Sequence, residues 1–123
     1  MRSVNLVLLC ALVATLLAAQ NKQRTLPPRT PAKGERTFTG RITDSMCARA
    51  DHKAMGMGDT DGECTKACVL SHGAQYVLFD GTNVYTFSDQ KAPEAFAGMK
   101  VSVTGTLDAK NATLKTSAIK AVK

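Results

Sequence analysis

Five short segments with the composition of β-strands are distributed along residues 37–123. The first, TFTGRITD, places Phe38, Gly40 and Ile42 on one face and polar residues on the other, which is the alternation of a half-buried strand. The other four predicted strands are 76–79, 84–87, 99–107 and 112–122. This pattern predicts a mainly β fold with one or two short helices. A small antiparallel barrel of the OB-fold type fits it best, and a two-layer α+β sandwich is the alternative.

The connections between these segments carry their own signals. Asp80-Gly81-Thr82-Asn83 lies between two apolar runs and predicts a tight hairpin turn. Pro93 stands where a short helix can begin, because a proline at the first helical position loses no hydrogen bond. In the last segment Leu114 and Ile119 fall on opposite phases of the alternation, so we expect a bulge or break near Ser117.

Residues 1–19 have the composition of a secretory signal peptide. Arg2 is followed by an apolar run and then by the small residues Ala18 and Ala19. We therefore expect a periplasmic or extracellular protein whose mature chain begins near Gln20. Signal peptidase prefers a small residue three positions before the cleavage point, and Leu17 occupies that position. The alternative is therefore a leader that is not cleaved and anchors the protein in the membrane.

Residues 20–36 carry three of the four prolines and five basic residues, and they predict an extended, disordered linker. Together with Arg2 this linker holds most of the excess positive charge. Residues 37–123 are therefore nearly neutral, although the whole chain has a formal net charge of +6. We expect this domain not to bind single-stranded nucleic acid at physiological salt, and we expect no membrane span once the leader is removed.

Residues 44–73 form a Cys/His insertion between the first two strands. Its spacing from Cys47 to His72 is C-x4-H-x11-C-x3-C-x3-H. The second half predicts a short helix, with Thr60 or Asp61 as its N-cap and Gly73 after its end. Two cysteines four residues apart on a helix lie on the same face, with Cβ atoms about 5 to 6 Å apart. A disulfide needs about 3.5 to 4.5 Å, so a bond between them is disfavoured.

Three thiols and one imidazole satisfy the ligand count of a tetrahedral Cys3His site, and sulfur donors favour zinc or copper(I). The candidate ligands are Cys47, His52, Cys64 and Cys68. One alternative is a disulfide from Cys47 to a helical cysteine, which exported domains commonly use and which leaves one spare thiol. Another is thiol redox chemistry. The chain contains no G-x-S-x-G, no phosphate-binding glycine loop and no H-E-x-x-H, so we do not expect an enzyme.

Other residues of the insertion have simpler interpretations. His52 has the alternative of an exposed loop imidazole, and a histidine at position 72 suits the negative end of the helix dipole without any function. The methionines of the insertion, Met46, Met55 and Met57, offer thioethers to copper, although packing in the loop and core explains them better. DTDGE lacks an acidic position that a calcium loop requires, so we do not expect calcium.

Several stretches resemble a group of small exported bacterial proteins whose function is not established. These stretches are G-R-I-T-D-S-M-C, then the histidine at position 52, E-C-T-K-A-C-V, G-A-Q-Y-V-L and G-M-K-V-S-V-T-G-T-L-D. The resemblance covers about residues 38–122, and His72 lies outside it. It implies export and an OB-like strand pair at the end of the domain. The positions that it implies belong to the motif are Asp44, Ser45, Cys47, His52, Cys64 and Cys68.

Overall fold

The computed structural model of the protein describes Thr30 and residues 32–123. The chain divides into two units, Met1–Thr30 and Pro31–Lys123, and every described strand and helix lies in the second. The predicted signal peptide and most of the predicted linker lie outside the described residues. The first strand begins at Arg36, the last residue that the sequence assigned to the linker.

Strands make up most of the regular structure in the described part of the chain. In chain order its elements are β1 (Arg36–Asp44), α1 (His52–Met55), α2 (Asp61–His72), β2 (Tyr76–Phe79), β3 (Val84–Phe87), a 3₁₀ helix (Ala92–Phe96), β4 (Lys100–Asp108) and β5 (Thr113–Ala121). The prediction of a mainly β fold with short helices is confirmed. None of these helices has the length and apolar character needed to cross a membrane.

The strands hydrogen-bond in the order β1-β2-β3-β5-β4, and β4 also pairs with β1. Four of the five pairings are antiparallel, but β3 and β5 run parallel, with Thr86 opposite Thr113. The expectation of a purely antiparallel sheet is therefore wrong at this pair. After β3 the chain passes through the 3₁₀ helix and crosses to β4, which pairs with β1. The return along β5 then has the same direction as β3.

The core lies inside this sheet and comes from strand residues that share its inner face. Its fully or almost fully buried members are Ile42, Tyr76, Leu78, Phe87, Val101, Val103 and Leu114. Each large apolar side chain contributes roughly 1.5 to 3 kcal/mol when it is removed from water. Gly40 allows β1 to approach β2 closely, because a Cβ atom there would lie 2.5 Å from the Phe79 carbonyl oxygen. The insertion connects β1 and β2, and both strands contribute residues to this core.

The predicted turn and break are both present. Asp80 accepts hydrogen bonds from the backbone N–H groups of Thr82 (2.8 Å) and Asn83 (2.6 Å), so the β2–β3 hairpin forms as expected. These backbone donors lower the pKa of the Asp80 carboxyl to about 2. In β5, Thr104 pairs with Ala118 and Gly105 pairs with Thr116, which leaves Ser117 as the extra residue of a bulge. The phase change in the sequence thus marked its position correctly.

Helix α2 packs against β1 through contacts made by its first turn. Arg41 of β1 and Asp61 form an ion pair with a 2.9 Å N–O distance. Gly62 lies so close to the loop before β4 that a Cβ atom on it would be 2.7 Å from the Ala97 carbonyl oxygen. Gly98 in that loop faces the same turn of the helix and donates its N–H to the Ile42 carbonyl at 2.8 Å. The helix is therefore held in a fixed position beside the end of β1.

Candidate metal centre

The turn after β1 is organised by the side chain of Asp44, which is fully buried. Its Oδ1 accepts hydrogen bonds from the backbone N–H groups of Met46 (3.0 Å) and Cys47 (2.9 Å). A short polar side chain that bonds its own backbone in this way holds a tight turn. Ser45 joins the turn to the start of β2, since its N–H donates to the Gln75 carbonyl at 2.8 Å. Cys47 is thus placed by the carboxylate three residues before it.

Helix α2 supplies the other two thiols. Of the two N-cap residues that the sequence offered, Thr60 is the N-cap and forms a capping box with Glu63, while Asp61 is the first residue of the helix. Gly73 ends the helix in the left-handed conformation, with a φ of 67°. Cys64 and Cys68 lie one turn apart on the buried face, with 0% and 1% of their surface exposed. Both thiols are therefore carried by a helix that is capped at each end.

Three donor atoms converge between the Asp44 turn and this helix. A carboxylate oxygen of Asp44, the Cys47 Sγ and the Cys68 Sγ all lie within 4.8 Å of one another, and all three residues are buried. Two ligands of one tetrahedral zinc ion stand about 3.3 to 3.8 Å apart, as follows from its bond lengths. A small contraction of the group would accommodate an ion. Asp44, Cys47 and Cys68 could therefore bind a metal.

The second oxygen of Asp44 has no hydrogen bond to compensate for its burial. Oδ1 accepts the two hydrogen bonds of the turn, but Oδ2 has no hydrogen-bond partner among the described residues, and His52 Nε2 lies 3.8 Å from it. A buried carboxylate oxygen without a hydrogen bond is unfavourable, because it has lost its contact with water and no donor within hydrogen-bonding distance replaces that contact. A bound cation is one way to satisfy such an atom.

The thiols of this group are hard to ionise when no cation is present. Burial is the largest cause, and the negative charge of Asp44 adds to it, raising the pKa of Cys68 to about 12. The same two causes raise the pKa of Cys47, while a hydrogen bond from Cys68 opposes them. At neutral pH both side chains are accordingly thiols. A metal ion reverses this balance, since it binds the thiolate and releases the proton.

His52 lies beside the group and not within it. The structure places it at the start of α1 with 3% of its surface exposed, so the alternative of an exposed loop imidazole is wrong. Its Nε2 is 3.0 Å from the Thr43 hydroxyl and 3.8 Å from Asp44 Oδ2. Its Nδ1 is 3.7 Å from Asp61 Oδ1. The ring therefore adjoins the Asp44 side of the group.

Cys64 also adjoins the group. It packs in one apolar cluster with the other two cysteines, and its Sγ lies 4.0 Å from the His52 carbonyl oxygen. Of the four predicted ligands, the structure thus brings Cys47 and Cys68 into the three-atom group and leaves Cys64 and His52 at its border. All three described cysteines are free thiols.

Asp44 is the group member that the ligand count did not include. Asp44 belongs to the predicted motif only through the resemblance, because the predicted ligands were cysteines and a histidine. The sequence D-S-M-C contains a usable signal, because an aspartate that closes a turn with one oxygen has the other oxygen free. His72 is exposed at the end of α2. Met46 and Met55 are also largely exposed, whereas Met57 packs against the cysteines.

Comparison with known proteins leaves the site to be interpreted from its own chemistry. No protein-family model, no curated protein and no solved structure matches the chain. The resemblance to small exported bacterial proteins therefore stays a prediction from the stretches quoted above. What the structure itself contributes is a buried group of one carboxylate and two thiols, with a third thiol and an imidazole at its border.

Proposed function

We propose that the protein is an exported binding domain that holds one zinc or copper(I) ion through Asp44, Cys47 and Cys68. The observation that carries this proposal is the convergence of donor atoms from three buried residues, one of which, Asp44, has a carboxylate oxygen without a hydrogen-bond partner among the described residues. Thiolate sulfur suits both metals. A fourth donor comes from Cys64 or His52, since both side chains border the group.

We also infer that this domain is a small barrel of the OB type. The strand order β1-β2-β3-β5-β4, with β4 paired back to β1, agrees with a five-stranded sheet that closes on itself. In this architecture the loop between β1 and β2 is one of those that bind ligands. Here that loop contains α1 and α2 and carries the candidate cysteine and histidine donors, while Asp44 is the last residue of β1, directly before the loop. The five-stranded sheet would thus serve as the scaffold, and the β1–β2 loop would supply the metal ligands together with Asp44.

Export rests on the sequence of the leader and on the resemblance. In an oxidising compartment the thiols must be protected, and their burial supplies one form of protection. Raised thiol pKa values also argue against a redox enzyme, because the thiolate is the reactive species and little of it exists in the metal-free site. Binding is therefore the function that the chemistry of these residues favours over catalysis.

A disulfide between Cys47 and Cys68 is the second candidate. Their sulfur atoms lie within 4.8 Å of each other, so oxidation would need only a local movement. The product would be a stapled interaction domain with Cys64 as its spare thiol. Metal and disulfide are mutually exclusive at this site, because both use the same two sulfur atoms.

Native mass spectrometry separates these candidates. The full chain, purified from the exported fraction under anaerobic conditions, is expected to carry one metal ion and to show three free thiols in the domain after the metal is removed. The same spectrum reports whether Arg2 and the rest of the leader are absent. A metal-free mass with a single titratable domain thiol would establish the disulfide instead, and a reduced chain that takes up neither zinc nor copper(I) would refute the metal site.

A further inference from the structure

We propose that Asp44 makes this site selective for Zn(II), because it strengthens zinc binding far more than it strengthens copper(I) binding. The inference rests on the proposed function, because it presumes that the three-atom group holds an ion. It adds a metal preference and assigns that preference to one side chain.

The Asp44 carboxylate has a fixed orientation and one oxygen without a hydrogen bond. Its Oδ1 is committed to the N–H groups of Met46 and Cys47, so the orientation of the carboxylate is set before any ion arrives. Its Oδ2 is fully buried and lacks a hydrogen-bond partner among the described residues. A ligand that is already oriented loses little conformational freedom on binding. The carboxylate is thus prepared to be a ligand.

The chemistry of the donor atoms distinguishes the two metals. A carboxylate oxygen is a hard ligand that zinc accepts readily, whereas copper(I) is a soft ion that selects sulfur. Cys47 and Cys68 serve both metals. Copper(I) can find a third sulfur in Cys64, which packs against the same cysteines. Asp44 therefore adds a bond for zinc and offers little to copper(I).

The charge of the site also distinguishes the two metals. Two thiolates and one carboxylate bring three negative charges into a site whose donor residues are at most 2% exposed. A divalent ion leaves one negative charge uncompensated and a monovalent ion leaves two. Buried net charge is strongly unfavourable, so the difference favours the divalent ion. The charge of Asp44 thus acts in the same direction as its donor chemistry.

The variant Asp44→Asn isolates this contribution. Asparagine can still accept the two N–H groups of the turn through its carbonyl oxygen, but it lacks the negative charge. The matched control is Asp51→Asn. Asp51 is an exposed aspartate of the same insertion, and its Oδ1 also accepts a backbone N–H, from Lys53 at 3.0 Å. Each variant removes one negative charge and keeps a carbonyl oxygen that can accept the backbone hydrogen bonds of the original aspartate.

The experiment titrates the reduced full chain, under anaerobic conditions, with Zn(II) against a chromogenic zinc chelator and with Cu(I) against bicinchoninate. Asp44→Asn is expected to weaken zinc binding by about 10- to 100-fold, the range seen when even supporting residues of a metal site are lost. Copper(I) affinity should change by less than about 3-fold, so the ratio of the two affinities shifts toward copper(I). The control should leave both affinities within about 2-fold.

Three outcomes separate the inference from the proposed function. Unchanged zinc affinity in Asp44→Asn, or an equal loss for both metals, overturns the inference and leaves a metal-binding protein. A wild-type chain that binds neither metal refutes the proposed function itself. If the variant does not fold, infrared difference spectra of the wild type decide: zinc should shift a carboxylate band that copper(I) leaves in place, and identical bands for both metals would overturn the inference.

Discussion

Replacing Cys68 by serine is expected to lower the affinity for zinc by more than about 100-fold, which exceeds the usual loss for supporting residues of a metal site. Cys68 supplies one of the three converging atoms, and α2 fixes its position at 1% exposure. A serine hydroxyl has nearly the same size but does not provide an anionic ligand at neutral pH. Competition with a chromogenic chelator measures the change.

Two other variants of the same helix complete this prediction. Ser71→Ala alters an exposed position of α2 and should leave zinc affinity unchanged. Cys64→Ser changes a thiol with equal burial at the border of the group, and its loss should not exceed that of Cys68→Ser. Zinc affinity in Cys68→Ser equal to that of the wild type would show that the converging atoms are not the ligands.

Gly98→Ala is expected to destabilise the domain by about 2 to 4 kcal/mol. Gly98 has a φ of +78°, where a side chain costs about 1 to 2 kcal/mol. A Cβ atom there would also lie 2.7 Å from Gly62 Cα and still closer to Gly62 N. Such overlap in a packed region costs about 1 to 3 kcal/mol. The loop cannot move away easily, because the Gly98 N–H is bonded to the Ile42 carbonyl. Urea unfolding monitored by circular dichroism gives the free energy of unfolding.

Gly73→Ala is the matched control for this change. Gly73 has a similar φ of +67°, but a Cβ atom there would meet no atom within 4 Å. Its replacement should therefore cost only the conformational penalty, about 1 kcal/mol. Equal losses for the two variants would mean that the contact between the loop and α2 does not hold the helix.

The elements of the fold could be predicted from the sequence because their signals are local. Period-two alternation identified β1, and the change of phase identified the bulge at Ser117. The parallel pairing of β3 with β5 could not be predicted in this way. Alternation tells which face of a strand is buried, but it does not tell which strand lies beside it or in which direction that strand runs. That information arises only when the whole sheet is assembled.

In the site, too, local sequence signals predicted some features and tertiary structure determined the others. The cap signals at Thr60 and Gly73 predicted the helix that carries two thiols, and the structure places them as expected. The burial of His52 was not predictable from its glycine-rich surroundings, because it depends on α1 folding back against Thr43. The role of Asp44 required the geometry of its turn. The residue types therefore indicated the chemistry, and tertiary structure determined which atoms converge.

X-ray absorption at the zinc K-edge identifies the ligands of the bound ion, because it reports the type and distance of the donor atoms around the metal. The zinc-loaded, reduced full chain is expected to show two or three sulfur atoms at about 2.3 Å and at least one oxygen or nitrogen atom at about 2.0 to 2.2 Å. This mixed shell corresponds to Cys47, Cys68 and Asp44, with Cys64 or His52 as the fourth donor. A shell of four sulfur atoms, or one that contains no sulfur, would contradict the account.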